Sequence, residues 1–215
     1  MTTSEQLSEI LLIDKPAGIT SHDVVDRVRR IYNTKKVGHA GTLDPFATGL
    51  LIVAVGKATK ELSKYVGLDK TYEATARLGA ISDTYDLTGQ ITNNQDIVPR
   101  TKDQASDALL TFKGGYLQKA PAYSAKKVNG KKLYELARRG EDVESLRPSK
   151  QVDISEIVLL DFNWPDVKFR VSCSSGTYIR SLAHDFGEIL GCGAYLTELR
   201  RTKVGEFKVE DAEKV

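Results

Sequence analysis

Cysteine is nearly absent from this sequence: Cys173 and Cys192 are the only two in 215 residues. Two thiols make no disulfide framework, and in a chain long enough to build a core they read as buried and reduced. No run of about 18 apolar residues occurs, so no membrane-spanning helix is expected. The first residues, MTTSEQLSE, are polar and acidic, unlike a signal peptide or a basic transit segment, which makes the cytoplasm the expected location. The three histidines, His22, His39 and His184, have no close cluster of further ligands around them, so no metal site is expected. Walker A and Rossmann glycine patterns are missing, which leaves a nucleotide cofactor without support. Ser174-Ser175-Gly176 is not a nucleophile elbow. There is no internal repeat and no low-complexity linker.

What is present is an ordinary globular balance of 40% hydrophobic and 28% charged residues. The length suits one large domain or two small ones. Net charge is only +2, but its distribution is uneven. From Arg27 to Arg77, ten Lys/Arg face four Asp/Glu, a local balance of +6. A polyanionic partner would use that bias; a solvated, lysine-rich surface explains it equally well.

Ile10 to Ile13 reads as a strand running into the turn Asp14-Lys15-Pro16-Ala17-Gly18. Thr20 and Asp23 resemble a capping box. Val24, Val25, Val28, Ile31 and Tyr32 then recur at helical spacing, with Arg27, Arg29 and Arg30 on the other face. The stretch from Gly38 to Gly49 has neither helical nor strand period and reads as an irregular loop. It runs into Leu50 to Val55, the most apolar run and the expected central strand. A polar loop fused to a buried strand is a common mounting for active-site residues. Ala58, Leu62 and Tyr65 or Val66 mark a helix. Thr71 to Leu78 alternates strictly, with Tyr72, Ala74, Ala76 and Leu78 on one face.

A loop at 83–89 and a helix from about Lys102 to Phe112 follow. Residues 114–125 are less regular. Val128-Asn129-Gly130-Lys131 contains a hairpin-like turn. Leu133, Leu136 and Ala137 suggest a short helix closed by Gly140. Strands are expected at 152–162, 167–173, 196–201 and 204–207, and a helix between Gly176 and Gly191. The tail after about residue 208 is expected to fray. Hairpin signals and the lack of regular βαβ spacing favour an α+β fold with a mixed, mainly antiparallel sheet.

Asp44 sits between Leu43 and Pro45, and the proline keeps its backbone out of helical geometry. A carboxylate held this way can be nucleophile, general base or salt-bridge anchor, or can simply close an Asx turn. His39, five residues earlier, could do acid–base work or stack on a splayed base. Arg180, near the start of a helix, shares a face with His184. It could turn inward to fix a carboxylate, though a solvent-facing arginine is the cheaper explanation. Tyr72 reads as a core tyrosine, or as a stacking ring if its face lines a cleft.

Five segments, in order, resemble the TruB family of bacterial-type tRNA pseudouridine-55 synthases. They are LLIDKPAGITS at 11–21, GHAGTLDPFATGLL at 38–51, KTYEATARLG at 70–79, YSAKKVNGKKLYELAR at 123–138 and SSGTYIRSLAHDFGEILGCGAYLTELRR at 174–201. The resemblance covers roughly residues 10–207, the expected catalytic domain, with 208–215 as a short tail. It implies the pseudouridine synthase α+β fold around a mixed sheet. Asp44 matches the family's essential aspartate. His39 matches the histidine that meets the disrupted T loop as the target uridine is flipped. Tyr72 matches the tyrosine that stacks on the uracil and is implicated in handling its C5 proton, and Arg180 matches the arginine that pairs with the catalytic carboxylate. Lys60, Asp86, Tyr178 and Leu199 match pocket or rim positions. Many relatives continue into a small C-terminal RNA-binding domain of the PUA type, which is expected to be absent here.

The implied reaction breaks the N1–C1′ bond, turns the uracil and joins C5 to C1′. It is an isomerisation needing no cofactor. The implied partner is the tRNA T arm; DNA, membrane and an obligate protein partner are not expected, and a monomer is. Attack of Asp44 at C1′, removal of the 2′ proton and attack at C6 all remain open. A non-catalytic tRNA-binding or RNA-folding protein with the same basic cleft is the alternative.

Overall fold

The computed structural model describes residues 7–94, 98–128 and 130–214. The first elements are β1 (Ser8–Lys15), α1 (Ser21–Ile31), β2 (Val37–Ala40), β3 (Thr48–Gly56), α2 (Leu62–Val66) and β4 (Lys70–Leu78). Next come β5 (Ala80–Ser82), β6 (Ile91–Asn93), α3 (Lys102–Leu110), β7 (Tyr116–Lys119), β8 (Lys127–Val128), β9 (Lys131–Lys132) and α4 (Leu133–Arg138). The last are β10 (Ser149–Val152), β11 (Ile154–Asn163), β12 (Asp166–Cys173), α5 (Ile179–Ile189), β13 (Ala194–Val204), β14 (Phe207–Lys208) and β15 (Glu213–Lys214). Among the described residues the largest sheet has nine strands, ordered β11-β12-β4-β13-β3-β1-β15, with β2 on β3 and β14 on β13. Antiparallel pairs outnumber the parallel pairs β13–β3 and β1–β15. This is the expected α+β fold with a mixed, mainly antiparallel sheet.

The chain separates into two compact units, Met1–Glu73 with Glu198–Val215, and Ala74–Thr197. In the first unit β3 is the organising strand. Its side chains alternate between faces. Leu51, Val53 and Val55 pack with Val24, Val25 and Val28 of α1. Leu50 and Ile52 pack with Val204, Val209, Leu62 and Phe207. Covered on both faces, the strand can be apolar throughout, which is why its run is unbroken. Thr20 caps α1, and Asp23 completes the capping box as expected. Ile31 departs from the inward reading: it lies at the last turn and is 72% exposed. Residues 209–214 do not fray, because Val209 is buried and β15 pairs in parallel with β1.

Part of the supposed loop is a strand. β2 pairs antiparallel with β3, placing His39 opposite Val53 and Gly38 opposite Ala54. Glycine and histidine carry little strand propensity, and the apolar neighbour imposes the pairing. Only residues 41–47 are irregular.

In the second unit, the hairpin of β11 and β12 packs against α3, whose capping box is Thr101 with Gln104. Ala105, Leu109 and Phe112 point inward as expected. The strand expected at 152–162 is β11, which starts at Ile154 and pairs with β12, while Val152 ends the separate strand β10, paired with β7. The Asn-Gly turn falls partly on Asn129, outside the described residues, but β8 and β9 pair on either side of it. Cys173 and Cys192 are buried free thiols. No described helix is long and apolar enough to cross a membrane.

Candidate active site

The first unit carries Asp44, His39, Lys60, Tyr72 and Leu199. Asp44 lies in the 41–47 loop, half-buried. What fixes it is the backbone on either side. Ser21, at the start of α1, accepts from the Leu43 amide (2.9 Å) and donates to the Leu43 carbonyl (3.1 Å). The Gly18 amide donates to the Pro45 carbonyl at 2.8 Å, and the Ala47 amide to the Asp44 carbonyl at 3.1 Å. Lys15 Nζ reaches the carbonyls of Pro16 (2.9 Å), Ile19 (2.8 Å) and Pro45 (3.3 Å). Arg201 donates to Leu50 (2.8 Å) and Gly41 (3.1 Å). The segment DKPAGITS is therefore the clamp of the aspartate loop.

Sequence reasoning missed Lys15 and Arg201. Both are fully buried, at 0% and 1% exposure. In the sheet register each lies opposite Gly49, one from β1 and one from β13. Opposed residues share a face, so two cations flank one glycine. Gly49 has φ +103°, and a Cβ there would strike the Arg201 carbonyl. Their neighbours Asp14 and Arg200 pair with each other at 2.8 and 3.0 Å. A lysine in a strand beside Pro16 and the paired arginines 200–201 were the available signals.

Burial pushes Lys15 down to about 8, and Asp44 opposes part of that fall by favouring the charged amine. Burial, and then the Arg201 cation, lower His39 below the usual histidine value. At neutral pH His39 is therefore an uncharged imidazole, better suited to stacking than to acid catalysis. Tyr72 is buried on β4 and Leu199 on β13, while Lys60 stands exposed on the 3₁₀ turn Lys57–Glu61.

The second unit carries Asp86, Tyr178 and Arg180. Arg180 does not face solvent; it is 5% exposed. Its guanidinium donates to the carbonyls of Thr84 (2.9 Å) and Tyr123 (3.1 Å) and lies 3.5 Å from the Asp86 carboxylate. Asp86 also ties its own loop, accepting from Thr84 Oγ1 (2.8 Å) and the Thr88 amide (2.9 Å). Between Thr84 and Asp86, Tyr85 adopts φ +64°. That left-handed residue lets the groups on either side of it serve one guanidinium. Such strain costs roughly 1–3 kcal/mol and persists only where packing over-determines it. Here Tyr85 stacks on His184, centroids 3.9 Å apart and planes 6° from parallel, with Arg147 5.4 Å from the ring. Tyr178 is the N-cap residue of α5.

A family model described as TruB family pseudouridylate synthase (N terminal domain) matches residues 29–179. The chain belongs to the TruB family. A second model, the tRNA pseudouridylate synthase B C-terminal domain, matches residues 180–215. Family relatives named tRNA pseudouridine synthase B include that of Opitutus terrae, 46% identical over 208 residues, covering 97% of this chain and 86% of the relative. The protein of that name from Solibacter usitatus is 49% identical over 203 residues, covering 94% and 69%. That of Burkholderia mallei is 49% identical over 208 residues, covering 96% and 67%. Among solved structures, a Cbf5-Nop10-Gar1 complex gives a TM-score of 0.75 at 33% identity, covering 99% of this chain and 53% of that one. An H/ACA RNP bound to a substrate RNA containing 2′-deoxyuridine gives 0.72 at 30% identity, covering 98% and 52%. This TruB-family chain spans about half the length of those two solved chains.

Proposed function

We propose that the protein isomerises uridine to pseudouridine at position 55 in the T arm of tRNA, with Asp44 as the catalytic carboxylate. The observation that carries this reading is the anchoring of the Asp44 loop at Gly41, Leu43 and Pro45 by Arg201, Ser21 and Lys15. A carboxylate on so constrained a backbone is preorganised, and preorganisation is where a cofactor-free enzyme finds its rate. The family's relatives, each named tRNA pseudouridine synthase B, support the substrate.

In this reading the target base is everted, because its glycosidic bond is out of reach inside the folded arm; flipping costs a few kcal/mol. His39, as a neutral ring, fills part of the vacated space. Tyr72 stacks on the uracil and handles the proton leaving C5. Asp44 acts on the sugar or on the ring, by attack at C1′, removal of the 2′ proton or attack at C6. Arg180 pairs with the carboxylate, and Asp86 and Tyr178 support that arginine. Lys60 and Leu199 line the pocket or its rim. The protein works as a cytoplasmic monomer on tRNA, without DNA or an obligate protein partner.

The test is to incubate the protein with unmodified tRNA and map pseudouridine by carbodiimide modification and primer extension. One stop, assigned to position 55, is expected. No pseudouridine, or a stop only outside the T arm, contradicts the reading.

A further inference from the structure

Strand β7 buries the wrong residue for an ordinary strand. Leu117 is 66% exposed, whereas its polar neighbour Gln118 is 2% exposed. The buried amide meets both backbone groups of one residue. Its Oε1 accepts from the Tyr178 amide at 2.7 Å, and its Nε2 donates to the Tyr178 carbonyl at 3.0 Å. The second Nε2 hydrogen goes to the Tyr116 hydroxyl at 2.7 Å, and that hydroxyl donates to Asp185 at 2.9 Å. The orientation of the amide is therefore not arbitrary: the Tyr178 N–H can only donate and its C=O can only accept.

Tyr178 is the N-cap of α5, and its own side chain does not cap the helix. Arg180 lies two residues further on. Ser181, in the same turn, donates to the Lys119 carbonyl at 2.8 Å, so β7 grips the first turn of α5 at two points. Asp185, one turn further, holds the far end of the chain; burial raises its carboxyl above the usual range, and Tyr116 opposes that rise.

We infer that Gln118 is a positioning residue for pseudouridine formation, setting the start of α5 so that Arg180 is held where the reaction needs it. The inference rests on the function proposed above. Replacing a mid-strand leucine would disturb packing, but replacing Gln118 removes a defined donor and acceptor from the backbone of Tyr178. A shift of about 1 Å in a positioning element can cost about 100-fold in rate.

The experiment compares wild type, Gln118→Met and Gln118→Glu on 5-tritiated tRNA under single-turnover conditions, from pH 5.5 to 8, with folding checked by circular dichroism and tRNA affinity by filter binding. Methionine keeps the volume and removes both hydrogen-bonding groups. Gln118→Met is expected to slow the step by about 10- to 100-fold while tRNA affinity changes by less than about twofold. Gln118→Glu puts in a carboxyl that accepts from the Tyr178 amide at every pH but donates to its carbonyl only when protonated. Burial and the adjacent carbonyl raise its pKa. Its rate relative to wild type is therefore expected to climb at least about fivefold from pH 8 to pH 5.5, while the ratio for Gln118→Met stays flat. A Gln118→Met rate equal to wild type overturns the inference, and so does a slow Gln118→Glu that does not recover in acid. Wild type serves as the control on the reaction itself. If it forms no pseudouridine, the proposed function has failed and the role of Gln118 is not what failed.

Discussion

The aspartate loop of the first unit and the arginine cradle of the second are built by opposite means. Around Asp44 the backbone is held by side chains: Ser21, Lys15 and Arg201 spend their donors on loop carbonyls. Around Arg180 the side chain is held by backbone: the carbonyls of Thr84 and Tyr123 receive the guanidinium, with Asp86 beside them. The difference follows from the groups concerned. A carboxylate has only two acceptor oxygens, so much of the rigidity of its loop is supplied through the chain. A guanidinium has five donors and keeps its charge while several are occupied.

The comparison breaks most visibly at Arg180. Arg180→Ala leaves Asp86 and two carbonyls without that donor, and is expected to lower stability by about 3–5 kcal/mol and turnover by about 10²–10³-fold. Urea unfolding and tritium release measure the two, and wild-type values in both would refute the cradle. Lys15→Met removes a donor from three loop carbonyls and should cost about 1–3 kcal/mol at neutral pH. It also carries a pH signature. Because folded Lys15 loses its proton near pH 8 and the unfolded amine near 10.5, the unfolded chain binds more protons between those values. Wild-type stability should then rise relative to Lys15→Met by about 1–3 kcal/mol across that window. A constant or shrinking difference would show that burial does not depress this amine.

Ser21→Ala, which frees the Leu43 amide and carbonyl, should cost about 1–2 kcal/mol and slow turnover without weakening tRNA binding. Equal turnover would mean the loop is held without it. The smallest effect is expected at the bidentate pair of Arg77 and Asp166, whose side chains are 46% and 35% exposed. Asp166→Asn should change stability by no more than about 1 kcal/mol. A larger loss would remove the distinction between buried cradle and surface pair.

The sequence showed its regular parts well and its clamps poorly. The capping box of Thr20 and Asp23 and the alternation around Tyr72 depend on nearest neighbours, and both are present in the fold. The β2 strand could not be read, because the pairing of His39 is imposed by β3. β7 was missed because it inverts the rule, burying Gln118 and exposing Leu117. Lys15 and Arg201 look like surface cations until the register places both beside Gly49. Arg180 was expected more cheaply in solvent, since no local pattern distinguishes a guanidinium that finds carbonyls at Thr84 and Tyr123. Asp44 was singled out only as one of several candidates by its Leu-Asp-Pro setting, and the role proposed for it comes through the family motif.

The measurement closest to the centre of this account is tritium release from 5-labelled tRNA by Asp44→Asn beside wild type, with tRNA affinity and the unfolding midpoint measured on the same preparations. The substitution keeps the shape of the side chain, removes its charge and turns one acceptor oxygen into a donor. The expected result is a folded protein that binds tRNA within about twofold of wild type and releases tritium at least about 10³-fold more slowly. Release at a rate near that of wild type would mean that the carboxylate of Asp44 is not what does the chemistry.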